Sequence, residues 1–340
     1  MKEALFYDVI DSSSATVQCH LCSHNCKIKN GKTGLCNVRL NAGGVLQSLV
    51  YGKLVSENVD PIEKKPLFHV SPGSKSYSIA TVGCNFKCRH CQNYQISQFP
   101  ISSPDAVPGK DRTPRQVVSN ALAYDCQSIS YTYVEPTIFY EFAYETAEIA
   151  HEQHLKNIFV SNGYTGPAAA KKIAPFLDAN NIDLKAFSDT FYRQVCGAKL
   201  TPVLNTIALM KELGVWVEVT TLIIPGYNDT DKELKEIAAF IAGLDSEIPW
   251  HISRFYPTYK LTDAPPTPVE TIHRARDIGK AAGLKYIYTG NIHDRGGEDT
   301  ICPQCGKTLI KRGGYTIEEN LMTNNSCPDC STAIAGLWGR

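Results

Sequence analysis

From residue 76 to residue 295 the chain alternates short strand-like runs with longer helical ones, and few architectures accept that alternation. The strand candidates are SYSIATV (76–82), SISYTYV (128–134), NIFVSN (157–162), IDLKAF (182–187), VWVEVTTLII (215–224), WHISRF (250–255) and KYIYTG (285–290). Several are rich in Val, Ile, Tyr and Thr, as buried strands are. Helical stretches separate them. TPRQVVSNALAY opens on Thr113 and Pro114, a cap followed by proline at the first helical position. TDKELKE places Thr230 three residues before Glu233, a capping-box pattern. Repeated strand–helix–strand units imply parallel strands with right-handed crossovers. Six or seven of them predict a complete or partial α/β barrel, with an open doubly wound sheet as the alternative.

The flanks differ in character. Residues 1–75 are rich in cysteine, glycine and polar residues, with a short β-like run at VLQSLVYGKLV and no long amphipathic helix. Residues 296–340 carry two Cys-x2-Cys knuckles and no strong helix, and 93–113 reads as a polar, proline-bearing loop. Thirty-four basic residues balance 34 acidic ones, so no global charge draws the chain to nucleic acid or an anionic membrane. No run of 18 apolar residues predicts a membrane span, and MKEALFYDVI does not read as a signal peptide, so the expected compartment is the cytoplasm. In a reducing cytosol clustered thiols favour metals over disulfides. Here 11 of the 13 cysteines fall into three tight clusters.

The central cluster lies in TVGCNFKCRHCQN, where Cys84, Cys88 and Cys91 have the spacing C-x3-C-x2-C. It follows the first barrel strand, at the strand ends where barrels place their chemistry. Three thiolates can bind three irons of a cubane whose protein-ligated norm is four cysteines. The missing fourth ligand leaves one iron open. A zinc site built from the triad and His90 is the competing reading. The segment resembles the signature of radical S-adenosylmethionine (SAM) enzymes. That resemblance implies a [4Fe-4S] cluster whose open iron chelates SAM, cleavage of the C5′–S bond by one electron, and a 5′-deoxyadenosyl radical that abstracts hydrogen. The cofactor then carries the hard chemistry and the protein positions it. His90 stands where the family usually has an aromatic residue, and it can pack on adenine or tune the cluster. Asn93 closes the segment and is expected among the SAM-site residues.

Other segments resemble the same family at successive strand ends. YTYVEPT (131–137) takes the place of a glycine-glycine-glutamate segment that meets the SAM amino group; Glu135 is the match, with Tyr133 and Val134 in place of the glycines. VSNGY points to Asn162. IDLK resembles the Asp-Leu-Lys segment of glycyl-radical-enzyme activases, with Asp183 and Lys185 near the SAM carboxylate, and His251 in WHISRFYP matches an activase histidine near SAM. An ammonium wants a carboxylate or carbonyl, and a carboxylate wants a lysine or backbone donors. Glu135 as a helix-cap acid, and Asp183 with Lys185 as a barrel ion pair, are the plainer alternatives.

Cys302-x2-Cys305 and Cys327-x2-Cys330, 21 residues apart, have zinc-ribbon or rubredoxin-like spacing. Zinc is the first choice and iron the second, as a structural staple for a tail without a real core. Cys19-x2-Cys22-x3-Cys26-x9-Cys36 is ambiguous. His20 and His24 are further donors, and Gly31 and Gly34 allow the turn that returns Cys36. Zinc and an auxiliary iron–sulfur cluster both stay open, with zinc favoured because nothing else there suggests an electron path. Cys126 and Cys196 read as buried thiols, although Cys196 lies close after the Asp-Leu-Lys strand.

DPIEKKPLFHVSPGSKSYSIATVGCNFKCRHCQN, NIDLKAF, YRQVCGAKL, VWVEVTTLIIPGYND and the terminal CPQCG…CPDC…GLW together resemble the AmmeMemoRadiSam-system radical SAM enzymes, which are pyruvate formate-lyase activating enzyme-like. The similarity spans nearly the whole chain. It implies a partial (β/α)6 TIM-type barrel with small cysteine-rich N- and C-terminal appendages, a Memo-like protein and an AMMECR-type domain as partners, and an electron donor such as flavodoxin or ferredoxin. The reaction expected is hydrogen abstraction from a protein glycine. The alternative is radical modification of a small molecule or another protein in a Memo-linked pathway. A nucleic-acid-modifying enzyme fits less well, because no basic–aromatic stripe appears. A plain electron carrier would need a fully ligated cluster that ignores SAM.

Overall fold

The computed structural model describes residues 1–101, 103, 106–292, 294 and 296–339. One eight-stranded sheet organises it: β1 (Ser56–Pro61), β2 (Lys75–Ala80), β3 (Ser128–Tyr131), β4 (Lys156–Ser161), β5 (Ala179–Asp183), β6 (Trp216–Ile223), β7 (Trp250–Arg254) and β8 (Ile287–Gly290). The spatial order is the chain order. β1 pairs with β2 antiparallel, and every later neighbour is parallel. The six parallel crossovers carry α1 (Pro114–Ala123), α2 (Tyr140–Glu152), α3 (Pro167–Ile173), α4 (Leu200–Glu212), α5 (Asp231–Leu244) and α6 (Val269–Ala281). The outer strands β1 and β8 do not pair with each other. This is a partial α/β barrel, open along one side, and the doubly wound alternative is set aside.

Local chemistry explains the element boundaries. Thr113 and Gln116 form the capping box of α1, with reciprocal bonds of 3.2 and 2.9 Å. The box predicted at α5 is half made: Thr230 accepts from the Glu233 amide at 3.3 Å, but the Glu233 carboxylate takes the Phe187 amide instead. The SISYTYV strand stops at Tyr131, because Tyr133 has a left-handed backbone, φ 62°. The IDLKAF strand is displaced toward the N-terminus: β5 starts at Ala179, and Lys185 lies beyond its end. The stretch 93–113 contains a helical turn at Tyr94–Ser97 that was not expected. Its residues 102, 104 and 105 lie outside the described residues.

The face of β5–β8 away from the helices is polar. Asp183, Thr220, His251 and Tyr288 are register partners in a row, with Asn181 and Glu218 one step below. A closed barrel fills its lumen with branched apolar side chains. Here the opposite face supplies the apolar packing, with Ile182, Val219, Trp250 and Ile252 buried toward the helices. The N-terminal part folds into two small three-stranded sheets, and residues 300–320 into a third. Among the described residues no helix is long and apolar enough to cross a membrane.

Candidate functional site

The cysteine triad sits on the loop that leaves β2, and the fold fixes that loop from several sides. Gly83 has φ 96°, and a Cβ there would stand 2.5 Å from Val38 Cγ1 and 2.9 Å from the Cys36 carbonyl. Only glycine fits both demands. After Cys84, the Lys87 and Arg89 amides donate to the carbonyls of Cys196 and Val195 at 2.8 and 2.9 Å. Those acceptors belong to a π-helical turn, Tyr192–Cys196, a local widening common at functional sites. Phe86 is buried and meets Tyr164 edge-to-face at 5.0 Å. Cys91 Sγ lies 3.2 Å from Ser97 Oγ.

Cys88 is buried, and Cys84 and Cys91 are partly so. Burial pushes the Cys84 and Cys91 thiols up, and a hydrogen bond with the Cys196 thiol, with burial second, raises Cys88 well above its ordinary range. Metal must therefore displace protons to bind here. Among the described residues, the C-terminal quartet is the one group whose ligand atoms all lie within 4.8 Å of one another. The three triad thiols are not all within that distance of one another. That suits a cubane, where each cysteine takes a different iron, better than a single zinc ion. His90 is 6% exposed, and its Nδ1 has no partner. Burial, with Lys185 adding to it, pushes the imidazole down to about 3, so it is neutral at working pH.

The structure brings several expected residues to this loop. Asn93 Nδ2 donates to the Tyr133 carbonyl at 2.8 Å. Asn162 Nδ2 donates to Asn85 Oδ1 at 2.8 Å and lies 4.0 Å from Cys84 Sγ. Lys185 Nζ pairs with Asp183 Oδ2 at 2.6 Å. Burial alone would lower the lysine, but Asp183 and then the sulfurs of Cys88 and Cys196 raise it well above its ordinary range.

Three residues are more deeply engaged than the sequence implied. The Glu135 carboxylate accepts from the Thr137 amide (3.1 Å), Ser161 Oγ (3.0 Å) and the Asn162 amide (2.7 Å). It caps the turn Pro136–Phe139 and holds Asn162 toward Cys84. Tyr133 keeps the glycine-like backbone of the segment it replaces, with its hydroxyl on Asp60 and Lys65 Nζ 4.7 Å from its ring centroid. His251 Nε2 lies 2.6 Å from Glu218 Oε2, and both side chains are buried. Burial alone would raise Glu218, but His251 and His69 hold it below its ordinary range.

An open cleft of about 2470 Å³, counted with its mouth, enters beyond β8. Thr220, His251 and Ser253 line its barrel side, and Lys64, Tyr256 and the buried Arg312 are among its other lining residues. None of the triad cysteines lines it. Asp183, which does not line the cleft, is the register partner of Thr220, which does, and is paired with Lys185. At the C-terminus, Cys302 Sγ and Cys330 Sγ are 3.5 Å apart, and Cys305 Sγ and Cys327 Sγ 3.6 Å. Tetrahedral Zn–S bonds of about 2.3 Å place sulfurs roughly 3.8 Å apart, so this quartet is arranged as a closed metal site.

Sequence reasoning missed Asn85, Glu218 and the Cys88–Cys196 contact. Glu218 had a signal: it is the one acid in the apolar run VWVEVTTLII. The contact between the cysteines arises from tertiary folding and left no local signal.

A partial barrel with a three-thiol loop at the strand ends defines a class, and the comparisons agree with it. The family model described as the radical SAM superfamily matches residues 78–241. The uncharacterized protein MJ0808 of Methanocaldococcus jannaschii is 50% identical over 313 residues, 92% of each chain. The indoleacetate decarboxylase activating enzyme of Tractidigestivibacter scatoligenes is 21% identical over 291 residues, 80% of this chain and 88% of that one. Among solved structures, Streptococcus suis SuiB bound to S-adenosylmethionine gives a TM-score of 0.52 at 11% identity, over 68% of this chain and 53% of that one, and shows the fold in common. The chain belongs to the radical SAM superfamily. It is a radical SAM enzyme related to the glycyl-radical activating enzymes, which implies a [4Fe-4S] cluster and SAM.

Proposed function

We propose that Cys84, Cys88 and Cys91 hold the [4Fe-4S] cluster and that the enzyme abstracts hydrogen from a protein glycine. The observation that carries this reading is a three-thiol loop beside the Asp183–Lys185 pair, next to a cleft on the open side of the barrel. When bound, the reduced cluster would supply one electron to the sulfonium of SAM, and cleavage of the C5′–S bond would give methionine and a 5′-deoxyadenosyl radical. The protein's part is positioning and exclusion of water. Lys185 offers an ammonium to the SAM carboxylate, and Asp183 holds that lysine charged and in place. Asn162 and Asn93 offer amide groups beside the loop, and His90 offers a neutral ring for the adenine. Glu135 acts as a positioning residue through Asn162. His251, held by Glu218, presents its face to the cleft.

The cleft favours a peptide over a small molecule, because it is open and its lining carries exposed groups of both charge signs, among them Lys64, Lys311 and Glu318. The resemblance adds a Memo-like protein and an AMMECR-type domain as partners, and flavodoxin or ferredoxin as electron donor. The C-terminal quartet holds zinc in this reading. The test is hydrogen transfer. Reduced enzyme is incubated with SAM and a co-purifying protein carrying deuterated glycine. Deuterium in 5′-deoxyadenosine together with a glycine-centred radical by EPR is the expected result. SAM cleavage with deuterium drawn instead from a small molecule would overturn the peptide reading in favour of a Memo-linked modification.

A further inference from the structure

We propose that Cys19, Cys22, Cys26 and Cys36 hold a second iron–sulfur cluster, a fully ligated [4Fe-4S] cubane beside the radical-generating one. Three observations converge. First, the four cysteines line one small cavity whose remaining wall is mostly aliphatic, with Leu21, Ile28 and Ile138 among its residues. They are not drawn together as the C-terminal four are. No three of their sulfurs lie mutually within 4.8 Å, whereas all four C-terminal ones do. A zinc ion would pull four thiolates to roughly 3.8 Å from each other. A cubane gives each cysteine its own iron and keeps them apart by the width of the cluster. By this measure the N-terminal quartet behaves like the central triad and unlike the C-terminal site.

Second, the same cavity is lined by two deeply buried side chains with donors left over. Arg39 is 1% exposed and its Nε has no partner, although its Nη1 bonds Glu141 at 2.9 Å. Asn85 is 2% exposed and its Nδ2 has no partner, although its Oδ1 accepts from Asn162. Both residues line the cavity. Buried donors are rarely left unpaired. Cubane sulfides and cysteine thiolates are the acceptors that such donors meet around iron–sulfur clusters. His20 is engaged by Asp8 and Asn25, and His24, which also lines the cavity, bonds the Asn85 carbonyl through Nε2 at 2.9 Å. The four cysteines are a complete thiolate ligand set for a cubane.

Third, the two cysteine loops touch. The α-hydrogen side of Gly83 packs on Val38 and the Cys36 carbonyl, and Asn85 both lines the N-terminal cavity and accepts from Asn162 beside Cys84. One residue on either side of Cys84 thus belongs to the wall between the sites. With no iron left open, the second cluster has no substrate site; it can take up and release single electrons next to the first.

The inference does not rest on the proposed hydrogen donor, and metal content tests it. Full-length protein, co-expressed with iron–sulfur assembly proteins and purified anaerobically, is assayed for iron, sulfide and zinc. The expected result is about eight irons and eight sulfides per chain, against about four of each for one cubane. A Cys84→Ala/Cys88→Ala/Cys91→Ala variant should keep half of the iron and a reduced-cluster EPR signal that SAM does not alter. A Cys22→Ser/Cys26→Ser variant should keep the other half, with a SAM-sensitive signal. Wild-type protein with half the expected iron and a second zinc, or a triad variant with zinc and no iron, overturns the inference. Should either variant fail to fold, the wild-type count together with two reduced signals, one of which SAM shifts, decides.

Discussion

At the scale of single residues, the site is a set of side chains whose partners fix their chemistry. Lys185 is the clearest case, a half-buried ammonium held on Asp183 at 2.6 Å and free of other acceptors in the hydrogen bonds described. Hydrogen bonds to charged groups contribute about 1.5–3 kcal/mol. Lys185→Ala should therefore weaken SAM binding roughly 10-fold to 100-fold by equilibrium dialysis, with iron content unchanged; unaltered affinity would remove Lys185 from the SAM site. Gly83 is a backbone requirement. Gly83→Ala forces a strained φ and a contact with Val38, so it should cost about 1–3 kcal/mol and lower iron loading together with the melting temperature. The triad was readable because three like residues at fixed spacing leave few chemical options. Glu135 and Asn162 were readable as positions, but not as a linked pair. The bond from the Asn162 amide to Glu135 depends on two strand ends meeting, which spacing along the chain does not encode.

Among the elements, most strands and helices could be placed from the sequence, because strand runs and capped helices alternate with regular lengths. The mismatches have local causes. β3 ends early at the left-handed Tyr133, and β5 starts early because Asn181 is satisfied inside the barrel by Thr220 at 2.9 Å and by the Pro66 carbonyl at 2.7 Å. An asparagine pair in sequence looks like a turn; in a polar lumen it is a strand. The edge strand β1 was hidden for a related reason: SENVDP carries charge and proline, which suit an edge and obscure a strand pattern. The C-terminal ribbon is tied to the barrel through His69, whose Nδ1 meets the Ala335 carbonyl and whose Nε2 meets the Tyr288 hydroxyl, both at 2.6 Å. Arg312 donates from the ribbon to the Phe68 carbonyl at 2.8 Å. Cys302→Ser/Cys305→Ser should remove one equivalent of zinc. Loss of a metal staple worth a few kcal/mol lowers the melting temperature by several degrees, on the order of 2–4 °C per kcal/mol. The central iron should be retained, as read by metal analysis and EPR.

For the whole molecule, the open barrel leaves a polar interior between two cysteine-rich appendages, and its charge network sets the pH dependence. Burial, opposed by Glu218, pushes His69 down to about 4. An unfolded histidine takes up its proton near pH 6.5. Below that pH the unfolded state binds a proton that the folded state refuses, so stability is full above about 6.5 and falls as pH drops toward 4, by about 3 kcal/mol for this group. The melting temperature should decline between pH 7 and pH 5, and His69→Gln should flatten that decline; a profile that rises toward acid would contradict the burial of a neutral ring. In the proposed function, three cysteines and their neighbours make SAM reactive. Its most direct measurement is 5′-deoxyadenosine release by the anaerobically reconstituted, dithionite-reduced protein, alongside Cys88→Ala. The wild type should release 5′-deoxyadenosine and show a SAM-induced change in the EPR spectrum of the reduced cluster, and the variant should do neither. A wild-type protein with its full iron complement that leaves SAM intact and its spectrum unchanged would contradict that function.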